Sequence, residues 1–213
     1  MEILPSLLAA HPLKLQRDIE AMIALDLHYL HIDIIDYHYT PNFGLSLDHC
    51  KAIKKAFPAI KLDVHLMTNP TPISLIEKLI DIGVDAISLH HDTLVQPITT
   101  DILRNTLIRA AILPSETLQE EHTAYQNILA LAVSPGFCGQ QLQPQALTTI
   151  QQAKERGLHT MLDGGINVST AAQVAACNPD AVVIGGGLFN QPLAQQRQLI
   201  QMLRDPQDST HQS

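Results

Sequence analysis

Eight short runs rich in Ile, Val and Leu recur along the chain, separated by longer amphipathic stretches. The runs are EILPSLL (2–8), YLHIDII (29–35), IKLDVHL (60–66), DAISLHH (85–91), IRAAILP (108–114), ILALAVS (128–134), HTMLDGG (159–165) and AVVIGGG (181–187). Between them PLKLQRDIEAMIAL, DHCKAIKKAF, PISLIEKLIDIG, PQALTTIQQAKERG and LAQQRQLIQMLR carry apolar residues at three- and four-residue spacing, the period of one helix face. Gly83 and Gly157 stand where helix C-caps belong. The weakest helical connection is SETLQEEHTAYQN, which is short and polar. Strands that alternate with helices, with no two strands in succession, lie parallel. Eight alternations within 213 residues fit a closed barrel, which needs about 200 residues or more, better than an open doubly wound sheet. No GxGxxG follows the first run, which weighs against a dinucleotide-binding sheet. The expected fold is α/β, a single (β/α)8 TIM barrel over residues 1–204, with the polar tail DPQDSTHQS (205–213) expected to be disordered.

Function in such a barrel collects at the C-terminal ends of the strands. The stretch LHIDIIDYHYTPN breaks its own apolar pattern there, with two histidines and two aspartates between His31 and Tyr39. Buried strands rarely carry ionisable groups unless these are paired or hold a metal. His31 and Asp33 are two residues apart and share one face, while Ile32 and Ile34 suit the helix-facing side. His65 and Asp163 add a second histidine and a second aspartate from the third and seventh runs. Taken singly, each of these four reads more readily as a hydrogen-bonded structural residue than as a ligand. Four such groups at strand ends reverse that balance, because each must otherwise find its own partner. Two imidazoles and two carboxylates suit one divalent cation such as Zn, Fe, Mn or Co. Asp63 shares a face with His65 but lies deeper and is expected to support the ligands from behind. Asp36, His38, His90 and His91 lack a comparable partner set and read as loop or supporting residues.

The glycine clusters PGFCG (135–139), DGG (163–165) and GGG (185–187) end the last three runs. One cluster alone reads as a strand terminator. Three neighbouring ones favour a phosphate cradle, since glycine lets backbone amides approach an anion closely. A Schiff-base aldolase is disfavoured, because none of the seven lysines falls at a C-terminal strand end. Cys138 has no base assigned to it and reads as a small residue filling a turn. With 13 Lys plus Arg against 21 Asp plus Glu, the formal charge of -8 argues against nucleic acid or an anionic membrane as partner. Cys50, Cys138 and Cys177 are odd in number and form no CxxC pair, so neither a disulfide framework nor a zinc-cysteine site is indicated. Free thiols, no signal-peptide pattern in MEILPSLLAAHP and no long apolar run lead to the expectation of a cytoplasmic protein.

PSLL (5–8), HIDIID-HY-PN (31–42), LDVHLM (62–67), SPGFCGQ (134–140) and LDGGI (162–166), in that order and spacing, resemble the ribulose-phosphate 3-epimerase family. The resemblance runs from ILPSLLAA to IGGGLF, nearly the whole chain. It implies a metal-dependent barrel of the pentose phosphate pathway that interconverts D-ribulose 5-phosphate and D-xylulose 5-phosphate, small phosphorylated ketoses. It implies metal ligands at His31, Asp33, His65 and Asp163, with Asp33 as proton acceptor and Asp163 as proton donor. It also implies substrate contacts at Ser6, His65 and Met67, and a phosphate cradle at Gly136, Phe137, Cys138, Gly139, Gly164, Gly165, Gly185 and Gly186. The chemistry agrees: inverting a carbon beside a ketone removes a proton from one face and returns one to the other. A cis-enediolate lies between, and a divalent cation would stabilise it as a Lewis acid. Barrels of this kind are often homo-oligomers, though no patch in this sequence demands it.

The chain departs from the family pattern in four places. PNFG after the second run is two residues shorter, and Ile35 and Leu131 stand where methionines are usual. LPSET replaces NPxTP after the fifth run, and Gly186 replaces a serine after the eighth. These changes bear on substrate preference, so a ketohexose 6-phosphate such as allulose 6-phosphate is the alternative substrate. A non-catalytic sugar-phosphate-binding barrel is the reading from another class, and a metal-dependent lyase the remaining enzyme reading.

Overall fold

A computed structural model describes residues 1–98 and 105–205. All of the expected tail beyond Asp205 lies outside the described residues. The strands are β1 (Glu2–Pro5), β2 (Tyr29–Ile35), β3 (Lys61–Met67), β4 (Ala86–Leu89), β5 (Leu107–Ile112), β6 (Asn127–Leu131), β7 (His159–Asp163) and β8 (Ala181–Ile184). They form one sheet in the order β1-β8-β7-β6-β5-β4-β3-β2, every neighbouring pair parallel. A parallel bridge between Ser6 and His31 joins β1 to β2 and closes the ring. Eight helices among the described residues surround it: α1 (Leu15–Ile23), α2 (Leu47–Ala56), α3 (Ile73–Ile82), α4 (Glu120–Thr123), α5 (Gln145–Glu155), α6 (Ala171–Cys177), α7 (Gly186–Phe189) and α8 (Leu193–Arg204). This is the expected (β/α)8 barrel.

Most strands end sooner than their apolar runs. Residues 7–9 form a 3-10 turn, and AVVIGGG gives only four strand residues before α7 begins at Gly186. At the C-terminal rim the chain leaves the sheet, and several apolar or glycine residues there, Leu8, Val133, Gly164 and Gly185 among them, line a cavity instead of extending a ladder. The α4 helix is a single turn, in keeping with its polar sequence. The amphipathic stretches read from the sequence include none for α6, because its stripe is only Ala171, Val174 and Cys177.

Two apolar layers follow from the period of two. Outward residues such as Ile32, Val64, Ile87 and Val182 meet the helix stripes of Ile19, Ile53, Ile76, Leu79 and Leu199. Each fully buried Ile or Leu of this kind contributes about 1.5–3 kcal/mol. Inside the barrel, Leu4, Ala111, Leu129, Leu131, Met161, Ala181 and Val183 form a second cluster. The interior is therefore divided. One arc is apolar, while β2 to β5 turn buried His31, Asp33, Asp63, His65, Ser88 and Arg109 into the other.

Candidate metal centre and substrate cavity

At the strand ends β2, β3 and β7 bring His31, Asp33, His65 and Asp163 together, with one donor atom of each within 4.8 Å of all the others. His31 Nε2 lies 3.3 Å from Asp33 Oδ1 and 3.9 Å from Asp163 Oδ2. His65 Nδ1 lies 3.7 Å from Asp33 Oδ1 and 3.9 Å from Asp163 Oδ2. Two bonds of about 2.1 Å from one ion reach donors at such separations. Both histidines are fully buried, and His65 Nδ1 has no hydrogen-bond partner. A buried polar nitrogen left unpaired costs about 1–3 kcal/mol, and a cation among these donors would give it a partner. The residues fit one divalent transition metal.

The electrostatics of the group favour positive charge. Burial pushes His31 down, but Asp33 and Asp63 outweigh it and raise its pKa well above the ordinary histidine value. Burial pushes Asp33 up, yet His31 and His65 hold it far below the usual carboxylate range. Asp163 is raised to about 6, by burial first, with His31 and His65 pulling it back and Asp33 pushing it up again. Burial and the neighbouring charges thus push the two carboxylates apart, Asp33 downward and Asp163 upward.

Behind the donors lies a second row of buried groups. Asp63 Oδ2 is 2.6 Å from His31 Nδ1, which keeps a proton on that nitrogen and makes Nε2 the one turned toward the centre. The other Asp63 oxygen accepts from Arg109 Nη1. Burial raises Asp63, but Arg109 and then His31 bring it below its ordinary value. Sequence reading missed Arg109; its only signal is a lone cation inside the apolar run IRAAILP. Register with Ser88 of β4, itself opposite His65, turns it inward. His90, just beyond β4, places Nε2 at 3.0 Å from His65 Nε2. Burial, together with His65, His91 and His122, keeps the His90 ring neutral.

The remaining polar residues of the rim have other occupations. Asp36 accepts from the backbone N–H groups of His38, Tyr39 and Asn69 and so shapes the loop after β2. His91 pairs with Glu121 at 3.0 Å, beside His122. These three could in principle hold an ion. The Gln119 N–H, however, takes the His122 Nδ1 lone pair at 3.0 Å, so the neutral ring carries its proton on Nε2 and offers no free donor.

Above the centre opens a cavity of about 300 Å³. Ser6, Asp33, Asp163, Met67 and Leu131 line it at the strand ends, and the loops after β6, β7 and β8 contribute Gly136, Phe137, Cys138, Gly139, Gly164, Gly165, Gly185 and Gly186. His31 and His65 are fully buried and do not line it. The Ser6 hydroxyl donates to Asp33 Oδ2 at 2.9 Å. Ile35, the other position where the family has methionine, does not reach the cavity lining. Partial burial, then Asp33 and Asp163, push the Cys138 thiol up to about 11, which keeps it un-ionised at neutral pH.

The glycine wall depends on close approach. Gly165 has φ +70°, and a Cβ there would fall 2.5 Å from the backbone N and Cα of Leu142. Gln140 clasps the β6 loop by donating to the carbonyls of Ser134 and Phe137. The shortened β2 loop latches onto the same segment, with Asn42 Nδ2 donating to Gly136 O and Thr40 Oγ1 to Pro135 O. Among the described residues, no lysine or arginine lines the cavity.

Fold and site together define a (β/α)8 barrel with a cation-ready His/Asp centre beneath a glycine-walled cavity at its C-terminal face. The Ribulose-phosphate 3 epimerase family matches residues 2–189. The chain belongs to that family, and with it to the isomerases that act on carbohydrates. The Ribulose-phosphate 3-epimerase of Serratia marcescens is 28% identical over 89% of this chain and 96% of its own. That of Treponema pallidum is 31% identical over 89% and 91%. Phosphoribosyl anthranilate isomerase from Thermus thermophilus superposes with a TM-score of 0.69 over 98% of this chain and 99% of its own, and at 17% identity it shares the fold alone. Among the described residues no helix is long and apolar enough to cross a membrane.

Proposed function

We propose that the chain is a cytoplasmic enzyme of the pentose phosphate pathway that epimerises D-ribulose 5-phosphate to D-xylulose 5-phosphate at C3 with one divalent cation. The observation that carries this reading is the convergence of Asp33 and Asp163 at the cavity floor with His31 and His65 behind them, donor atoms of all four within 4.8 Å of one another. Asp33 takes the C3 proton from one face, and Asp163 delivers a proton to the other. Ser6 fixes the Asp33 carboxylate through its hydroxyl. His31 Nε2, Asp33, His65 Nδ1 and Asp163 would hold the cation, which when bound would supply Lewis acidity to the reaction. Met67 and Leu131 keep the floor apolar and exclude water from the enediolate. Backbone amides of the glycine loops orient the phosphate, a task left to them by the lack of cationic side chains there.

The test is removal and return of the metal. Protein stripped by chelator is expected to lose turnover of ribulose 5-phosphate and to regain it with Zn, Fe, Mn or Co added singly. Metal binding without turnover would contradict the pentulose substrate. Leu131 at the floor favours a ketohexose 6-phosphate as the second reading, and allulose 6-phosphate assayed alongside separates the two. Neither metal binding nor turnover would leave a sugar-phosphate-binding barrel.

The phosphate assignment has its own check at Gly186. A Cβ there meets nothing nearer than Asn190 Nδ2 at 3.5 Å, so Gly186→Ser has room for a hydroxyl. One added hydrogen bond of about 0.5–1.5 kcal/mol is expected to lower KM roughly two- to tenfold while kcat holds. An unchanged or raised KM would place the phosphate elsewhere.

A further inference from the structure

We propose that His90 is a positioning residue that fixes the tautomer of His65 and thereby the metal affinity of the centre. The inference rests on the metal reading above. The two Nε2 atoms lie 3.0 Å apart, with ring centroids 5.2 Å apart and planes tilted by 32°. Both rings are shielded from bulk solvent, His65 being 0% and His90 2% exposed. One hydrogen must therefore lie between them, and only one fits.

The two placements have opposite consequences. If His90 donates, His65 carries its own proton on Nδ1. That N–H then points at Asp33 and Asp163 oxygens 3.7 and 3.9 Å away, beyond hydrogen-bond range, and it blocks a cation. If His65 donates, its Nδ1 presents a bare lone pair to the same two carboxylates. That arrangement is unfavourable when empty and correct for a ligand; Nδ1 has no hydrogen-bond partner in either placement, so the choice falls to what holds the proton on Nε2. His90 makes the second placement available by accepting an N–H that would otherwise be stranded in a dry interior.

The acceptor is itself held in place. The His90 carbonyl accepts from both the hydroxyl and the N–H of Thr93, at 2.8 and 3.2 Å. Thr93 in turn meets the Thr71 hydroxyl at 2.9 Å. Tyr39, from the loop after β2, packs its ring against the imidazole at 5.0 Å. The two metal histidines thus have different backers: His31 an ionised aspartate, His65 a neutral imidazole.

The test compares the parent with His90→Leu, which removes the acceptor, and His90→Gln, which restores a carbonyl oxygen on a side chain of similar length. Zinc dissociation constants are read by competition with a chromophoric chelator, with circular dichroism as the control for folding. His90→Leu is expected to weaken zinc by about 10–100-fold, and His90→Gln to recover most of that loss. In the zinc-loaded parent, long-range proton–nitrogen spectra are expected to place the His65 proton on Nε2. Zinc bound as tightly by folded His90→Leu as by the parent, or a His65 proton on Nδ1, would overturn the inference while the metal reading stands. A parent that binds no divalent metal would overturn both.

Discussion

Arg109→Met is expected to destabilise the fold by about 3–5 kcal/mol, the cost of leaving a buried charge without its partner. Asp63 is 0% exposed and Arg109 4%. One Asp63 oxygen is bound to the guanidinium and the other to His31 Nδ1. Methionine fills much of the same space, so the loss is mainly electrostatic. Urea titration should show a lower midpoint with an unchanged slope. Adding Asp63→Asn should recover part of the loss, because the amide oxygen still accepts from His31 while the uncompensated charge is gone. The pH dependence has a definite sign. Burial raises Asp63, but Arg109 and His31 depress it below its ordinary 3.8. Its stabilising contribution is therefore present above that ordinary value and lost as pH falls through the folded one. Without Arg109 the folded value rises, so acid unfolding should begin at a higher pH. A loss below about 1 kcal/mol, the scale of an exposed ion pair, would mean that water reaches Asp63 and that Arg109 is not its counter-charge.

Asp33→Asn is expected to lower kcat by about 10²–10⁴-fold, the usual contribution of a positioned proton-transfer group. Asparagine keeps the shape and can still accept the Ser6 hydroxyl, but it cannot take a proton. Asp163→Asn should lower epimer formation as strongly by a different route. With Asp33 intact, the C3 proton of ribulose 5-phosphate still leaves and returns on one face, so solvent hydrogen is washed into unreacted substrate without inversion. Asp33→Asn should abolish that wash-in together with turnover. Equal exchange in the two variants would contradict the assignment of one face to each aspartate. Metal content measured on both variants separates a lost base from a lost ligand.

The barrel was legible in the sequence because apolar runs and helix stripes are local signals, the runs repeated eight times and the stripes clear in five of the stretches between them. His31 and Asp33 were legible for the same reason: two residues apart on a strand, they had to share a face. The glycine wall was legible from three clusters in consecutive loops. The inward turn of Arg109 was not, since only register with Ser88 places it inside, and register is set between strands far apart in sequence. His90 and His91 illustrate the same limit. Adjacent residues leave a strand end in different directions, and nothing local says which meets His65 and which pairs with Glu121. The latch from Asn42 to Gly136 is likewise a contact across 94 residues, invisible in either segment alone.

The most direct measurement follows ribulose 5-phosphate with the metal-loaded protein in deuterated buffer. Xylulose 5-phosphate carrying deuterium at C3 is expected, with product and label both lost on chelation and in Asp33→Asn. Product without deuterium at C3, or turnover that survives both chelator and Asp33→Asn, would contradict proton transfer by this metal-bearing pair of aspartates.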